Sequence, residues 1–437
     1  MIAAIVICAL TCVLMIVGVL FVPKIRIGAV GIDSYWVVTT IGAVIAVLVC
    51  KVDFSTVGKA LIADTSINPI KILALFISMT VLSIFLDELG FFRYLAVVAI
   101  RHSRTGQIKL FLILYFVVAV LTVFTSNDII ILSFTPFICY FAKNVDIDPV
   151  PYLAAEFVAA NTWSMLFIIG NPTNIYLATA SGIGFLEYLK FSFLPTIFGG
   201  AVSLGALLLV FGRKLKKPLT AADIDIPKIE DKLSFVVGIV HLSVCTVLLA
   251  IGSYINAEMW LVAVCSVGSL ILFSLIISLA RREKPRVLGK SLSRTPYQLV
   301  PFVLSMFALI VVLNEVGVTA AIGEALGSGL QILKYGPLSF LASNLINNIP
   351  MSVLFSSIIG STGGAVGIGG LFATIVGSNV GAFFTPIGAL AGIMWSSIIN
   401  KHDIKFGYGD FLKIGASVAV PTLAASLCGV YLATMIF

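Results

Sequence analysis

Apolar residues run along this chain in stretches long enough to cross a bilayer, separated by short polar turns. A helix rising 1.5 Å per residue needs about 20 residues to span a hydrocarbon core of about 30 Å. On that measure residues 2–22, 28–50, 70–89, 191–212, 234–253, 258–280, 298–314 and 411–435 are predicted membrane helices. Residues 91–104 set Arg93, Arg101 and Arg104 among apolar positions and are expected to form an amphipathic helix at the interface. Residues 2–22 carry neither a basic leader nor a small-residue cleavage site, so they are read as the first crossing and not as a signal peptide.

Two stretches do not divide into simple crossings. Residues 109–125 and 129–142 flank the polar triplet Ser126-Asn127-Asp128. These arms reach only about 25 Å and about 21 Å, so a re-entrant hairpin with its tip at mid-depth fits them better than two crossings. Residues 153–186 would measure about 51 Å as one helix and are interrupted by Gly170-Asn171-Pro172-Thr173-Asn174, where Pro172 ends the helix. The same pair of features recurs. A segment over 335–360 holds Ser343-Asn344 and Asn347-Asn348-Ile349-Pro350, and residues 366–400 hold Ser378-Asn379 and the break Thr385-Pro386-Ile387-Gly388.

The two runs match in order: helix, amphipathic segment, polar-tipped hairpin, broken helix, final helix with an internal proline (Pro195, Pro421). With both hairpins turning back, 22 of the 27 Lys and Arg fall on one face, in loops 23–27, 90–109, 143–150, 213–233, 281–297 and 400–413. Lys51, Lys59, Lys71, Lys190 and Lys334 fall on the other. The positive-inside rule makes the rich face cytoplasmic and places both termini outside. The expected fold is therefore an all-α polytopic membrane protein, an inverted repeat with two re-entrant hairpins and two discontinuous transmembrane helices. Residues 1–212 form the first half, an extra helix plus a copy whose hairpin 109–142 opens inward. Residues 213–233 are a cytoplasmic linker, and 234–437 form the second half, whose hairpin 335–360 opens outward.

Composition supports the same class. Of 437 residues 60% are hydrophobic and 11% charged, against about 45–50% and about 25% in soluble domains. Soluble-enzyme, disordered and collagen-like readings fall away. The net charge of +7 lies in loops beside apolar runs, which marks orientation in a membrane and not nucleic-acid binding. Seven cysteines form no CxxC pair, and His102, His241 and His402 show no metal-ligand spacing. Gly363 to Gly370 is glycine-rich without a preceding strand, there is no Gly-Lys-Ser/Thr phosphate loop, and no nucleophile–base set is present. The chain is expected to be no enzyme and to bind no organic cofactor; a sodium ion or a proton is the expected coupling species.

In hydrocarbon, irregular backbone persists only where it lines a protein-enclosed or wet cavity, so tips and breaks mark the site. The candidates are Ser126, Asn127, Asp128, Asn161, Gly170, Asn171, Thr173 and Asn174 from the first half, with Pro172 as the break. Asn344, Asn347, Asn348, Ser378, Asn379, Thr385 and Gly388 come from the second, with Pro350 and Pro386 as its structural prolines. A carboxylate at mid-membrane costs roughly 2.5–3.5 kcal/mol, so Asp128 is read as a proton or sodium coupling group, or as an N-cap of the second arm. Sodium sites are expected near Asn127 and Asn171 and near Asn347 and Asn379. Asn348 reads as a site amide or a cap, and Glu156 is left open between structure and function. Asp87, Glu88, Asn314 and Glu315 are expected at the interfaces.

These motifs resemble the ion transporter superfamily and, within it, the arsenite/antimonite permeases. The resemblance rests on Thr125-Ser126-Asn127-Asp128 with Ser133 and Thr135-Pro136, Ala160-Asn161-Thr162, Gly170-Asn171-Pro172-Thr173-Asn174 and Gly182-Ile183-Gly184-Phe185 with Tyr188. In the second half it rests on Asn347-Asn348-Ile349-Pro350, Ser378-Asn379-Val380-Gly381 and Thr385-Pro386-Ile387-Gly388-Ala389-Leu390. It implies a secondary transporter in the plasma (inner) membrane carrying a small inorganic oxyanion, a metalloid hydroxide or a carboxylate across the lipid bilayer. Arsenite or antimonite efflux coupled to protons through Asp128 is the leading expectation. Sodium-coupled di- or tricarboxylate symport and sodium/proton antiport are the alternatives within the superfamily. Symporters of that superfamily look as though they use Ser-Asn-Thr at both hairpins, from which Ser126-Asn127-Asp128 departs. The resemblance also admits a homodimer and a cytosolic ATPase partner. A scaffold or receptor with a relic repeat would instead show no substrate-dependent flux.

Overall fold

Polar residues at helix starts, several followed by proline, set where many of the elements begin. The computed structural model describes residues 1–22, 24–27, 30–63, 68–101, 106–216, 229–252, 255 and 257–437. Among them the helices are α1 (Ile2–Phe21), α2 (Ser34–Val49), α3 (Phe54–Ile62), α4 (Pro69–Glu88), α5 (Phe91–Arg101), α6 (Gln107–Phe124) and α7 (Asn127–Val145). Next come α8 (Val150–Trp163), α9 (Pro172–Ala180), α10 (Phe185–Phe211), α11 (Lys232–Ile251), α12 (Met259–Ala280), α13 (Arg286–Arg294) and α14 (Leu299–Glu315). The last are α15 (Val318–Leu326), α16 (Gln331–Ile346), α17 (Asn348–Ser361), α18 (Ile368–Gly381), α19 (Leu390–Lys401) and α20 (Tyr408–Ile436). Asn68 caps α4 by accepting from the Ile70 and Lys71 amides, with Pro69 in the first turn; Asp53 and Asp231 cap α3 and α11 in the same way.

The chain is a multi-pass membrane protein. Nine helices of the described residues are long and apolar enough to cross a bilayer. The exposed stripe Val236, Val240, Val244 and Val247 of α11, 48–58% open, is what a lipid-facing helix presents. By contrast α8 from Pro151 to Thr162 and α18 from Gly370 to Gly381 are buried on every side. α10 packs along α20 and α16 along α18, while α1, α2 and α14 group together, as do α4, α11 and α12.

The predicted crossings correspond to α1, α2, α4, α11, α12, α14 and α20 within a few residues at most ends, α2 starting six residues late. α10 begins at Phe185, well before residue 191, because Gly184 is extended and Glu187 completes a helical first turn. Lys24–Ile27 (β1) and Val30–Asp33 (β2) form a short antiparallel pair where a turn and the start of a crossing were expected. α3, α13 and α15 are nine-residue amphipathic helices below the length that a hydropathy reading detects. The arms α6 and α7 hold 18 and 19 residues, about 27 Å and about 29 Å, longer than the apolar runs alone because each continues into polar residues at its outer end. Arg104, His102 and most of the linker (217–228) lie outside the described residues. All seven cysteines are free.

Candidate functional site

The first tip, Thr125 and Ser126, lies between α6 and α7, and the first break runs from Ser164 to Asn171 between α8 and α9. Asn171 is extended and its carboxamide oxygen accepts from the amide and hydroxyl of Thr173, which caps α9 behind Pro172. The break folds tightly upon itself: Asn174 Nδ2 donates to Ser164 O at 2.8 Å. At the tip, Asn127 Nδ2 donates to Asn161 Oδ1 at 2.9 Å, and Asn161 is held in turn by its own bond to Phe157 O.

Asn379 of α18 joins the two halves. Its Oδ1 accepts from Ser164 Oγ at 3.1 Å and from Asn171 Nδ2 at 3.0 Å, and its Nδ2 donates to Asn174 Oδ1 at 2.6 Å. Ser164 also donates to Asn161 O. Asn127, Asn161, Asn171, Thr173, Asn174 and Asn379 thus form one buried network, with Ser164 as its hinge. Every amide in it is fully or almost fully buried, so each hydrogen bond is held in low dielectric.

The second tip and break make a separate cluster. Asn347 has φ 72° and ψ 153°, a conformation that costs a non-glycine residue about 1–3 kcal/mol. Its side chain holds it there: Nδ2 donates to Ile387 O at 3.0 Å, and Oδ1 accepts from the Ile349 amide, capping α17. The Asn348 amide donates to Gly388 O at 3.0 Å, and Thr385 Oγ1 donates to Asn344 Oδ1 at 2.6 Å. Pro350 sits in the first turn of α17 and Pro386 inside the break. Asn379 therefore bonds to the first break and not to Asn347.

Asp128 lies in the first turn of α7, half-buried, with no hydrogen-bond partner among the described residues. Ser126 occupies the N-cap position, so Asp128 does not cap the arm. The Asn348 carboxamide likewise makes no bond, and Ser378 Oγ is buried and unpartnered. No Lys or Arg occurs in either tip or break. The open donors are hard oxygens and amide groups, suited to a small hard cation or to hydroxyl groups. Among the described residues no group of three His, Cys, Asp or Glu converges. Elsewhere, Asp87 and Glu88 end α4 in ion pairs with Arg294 at 2.8 Å and 2.5 Å, and Asn314 bonds Ser357 and Thr319. A cavity of about 960 Å³ opens beyond the far end of α9, beside Lys71, Glu187, Lys190 and Glu258.

The sequence profile of the citrate transporter family (CitMHS) matches residues 1–371. The chain belongs to that family. It is also similar to the arsenical pump membrane proteins of Yersinia enterocolitica and Escherichia coli K12, each 28% identical over 82% of this chain and 85% of the relative. A putative arsenical pump membrane protein of Bacillus subtilis is 24% identical over 90% and 93%. The crystal structure of the Alcanivorax borkumensis YdaH transporter aligns with TM-score 0.58 at 14% identity over 100% of this chain and 98% of that one, a likeness of fold.

Within this citrate transporter family member, Ser164 is the network residue that the sequence reading missed. Its one local signal is a small polar residue two positions after Thr162, where α8 ends at Trp163. Two glycines let the breaks close. A Cβ at Gly170 would sit 2.3 Å from Ser164 O, and one at Gly388 would sit 2.4 Å from Gly381 O and 2.9 Å from Asn344 Oδ1. Neither backbone oxygen can shift without opening its break. Gly170→Ala and Gly388→Ala are expected to lower stability by about 1–3 kcal/mol or more. Gly268→Ala and Gly360→Ala, where a Cβ meets nothing within 4 Å, are expected to stay within about 0.5 kcal/mol. Thermal unfolding of the detergent-solubilised variants checks the contrast.

Proposed function

We propose that the chain is a secondary active transporter that exports arsenite or antimonite in exchange for protons, with Asp128 as the coupling carboxyl. The observation that carries this reading is the chemistry of the polar centre: amides, hydroxyls and free peptide groups, one unpartnered carboxyl, and no cationic side chain. Arsenite is a neutral trihydroxide near neutral pH. Amide oxygens and peptide groups can bind its hydroxyls without a fixed positive charge, whereas a dianion beside an ionised Asp128 would be repelled. The relatives named arsenical pump membrane proteins support the same substrate class.

On this reading the matched runs α6–α10 and α16–α20 are inverted copies, and both tips turn back at mid-depth. The basic loops face the cytoplasm, and the chain resides in the inner membrane with both termini outside. The cavity beside Lys190 then opens outward. Expression in an efflux-deficient cell is expected to lower intracellular arsenite and raise resistance; unchanged accumulation would sink the proposal.

The family description favours a second reading, carriage of citrate or a related carboxylate. That substrate would need sodium or a metal ion to offset its charge, since the protein supplies none at the centre. Sodium-dependent citrate uptake into proteoliposomes, with arsenite inert, would establish this alternative.

A further inference from the structure

Glu156 lies on α8 between Asn161 and the start of that helix, 1% exposed, in a part of the core that the network above does not use. Its hydrogen-bond partner among the described residues is Thr135 of α7, with the Trp395 indole N–H of α19 turned toward it as well. Thr135 Oγ1 donates to Ile131 O at 2.6 Å and lies 2.9 Å and 3.1 Å from Glu156 Oε1 and Oε2. A hydroxyl carries one hydrogen. If that hydrogen goes to Ile131 O, the contact with Glu156 needs a hydrogen from the glutamic acid itself. If it goes to Glu156, two acceptor oxygens face each other at 2.6 Å with nothing between them. The neutral acid satisfies every atom in this chain of three: Glu156 O–H donates to Thr135 Oγ1, and Thr135 O–H to Ile131 O.

The surroundings agree. Cys139, one turn beyond Thr135 on α7, is the other titratable group facing Glu156. The buried indole N–H of Trp395 on α19 is aimed at Glu156 but falls short of a regular hydrogen bond. Tyr152, one turn earlier on α8, is turned to Gln107. Among the described residues no Lys, Arg, His or second carboxyl from α6, α7, α10, α18, α19 or α20 reaches Glu156 to compensate an ionised form. Burying a carboxylate without such a partner is far more costly than burying the acid.

Nor does the fold require an acid here. Counting five residues back from Asn161 and from Asn379 reaches Glu156 and Thr374, and Thr374 satisfies itself by donating to Gly370 O within its own helix. A threonine thus serves in the second run where the first has an ionisable group. Asp128 and Thr135 are seven residues apart on α7, so they share one face about 10.5 Å apart.

We propose that Glu156, gated by Thr135, is a second proton-binding site of the transport core, loaded in this conformation and emptied when α7, α8 and α19 part. On emptying, the Thr135 hydrogen turns from Ile131 O to the new carboxylate and the acid proton leaves to entering water. The existence of transport rests on the function proposed above; the protonation itself does not.

Infrared difference spectroscopy of the full chain in lipid vesicles, titrated from mildly acidic to alkaline buffer, reads the site without substrate. The expected result is a carboxylic-acid carbonyl band that fades as pH rises and survives in Asp128→Asn. It is shifted in Thr135→Val and lost in Glu156→Gln, whose unfolding temperature matches the parent. No such band in the parent, or a band that never fades short of unfolding, would overturn the proposal. In the same vesicles arsenite flux should lose its response to a pH gradient in Glu156→Gln; an unaltered response would also overturn it. A parent that moves no arsenite would instead count against the substrate assignment while the spectral result stands.

Discussion

Asp128→Asn is expected to abolish proton-coupled transport while leaving the folded protein as stable as the parent or slightly more so. Among the described residues the carboxyl makes no hydrogen bond, and Ser126 holds the cap position, so the amide removes no contact on which α7 depends. At the mid-membrane depth proposed for this tip, it also removes a potential charge that costs roughly 2.5–3.5 kcal/mol. The loss falls on the coupling ion. A carboxamide takes up no proton near neutral pH, so the proton-driven part of the flux should vanish and not merely weaken. Flux at a fixed pH gradient in proteoliposomes measures it, with unfolding temperature as the companion. Normal coupled flux in Asp128→Asn would remove this residue from the mechanism. Loss of expression would mean that α7 relies on the acid for its start after all.

Asn379→Ala should be the most damaging substitution among the buried amides. Its carboxamide is the acceptor for Asn171 Nδ2 and the donor to Asn174 Oδ1, and neither of those atoms has another partner of comparable quality. Each group left unsatisfied costs about 1–3 kcal/mol, and Ser164 keeps its alternative bond to Asn161 O. Asn161→Ala orphans a single donor, Asn127 Nδ2, and should cost correspondingly less. Thermal unfolding of the two variants gives the ranking, and the reverse order would show that Asn379 is not the joint between the halves. Transport should be lost in Asn379→Ala even where protein is recovered, because the first break loses its anchor to α18.

Much of this arrangement is legible along the chain. Long apolar runs mark the crossings because lipid leaves backbone groups no partner outside a helix. Pro172, Pro350 and the Asn-rich tips stand out because such residues are costly in hydrocarbon unless they serve a purpose. What the pattern does not reveal is pairing. Asn379 meets Asn171 and Asn174, more than 200 residues away in sequence, and no local periodicity encodes that choice over the expected grouping with Asn347. Ser164 is invisible for a related reason, since its importance lies in its neighbours across the break. Glu156 and Thr135 are 21 residues apart on different helices, so an acid left open on sequence grounds gains its meaning from one hydroxyl. The amphipathic α3 and α13 escape because hydropathy rewards length.

The bent backbone at Asn347 has a mechanical consequence. Two anchors, one from its own carboxamide and one from the next peptide N–H, pin the residue against the chain at 387–388 in a posture it would not adopt alone. Once both let go, the residue is free to unwind, returning about 1–3 kcal/mol. Such a latch favours being either fully shut or fully sprung over any halfway position.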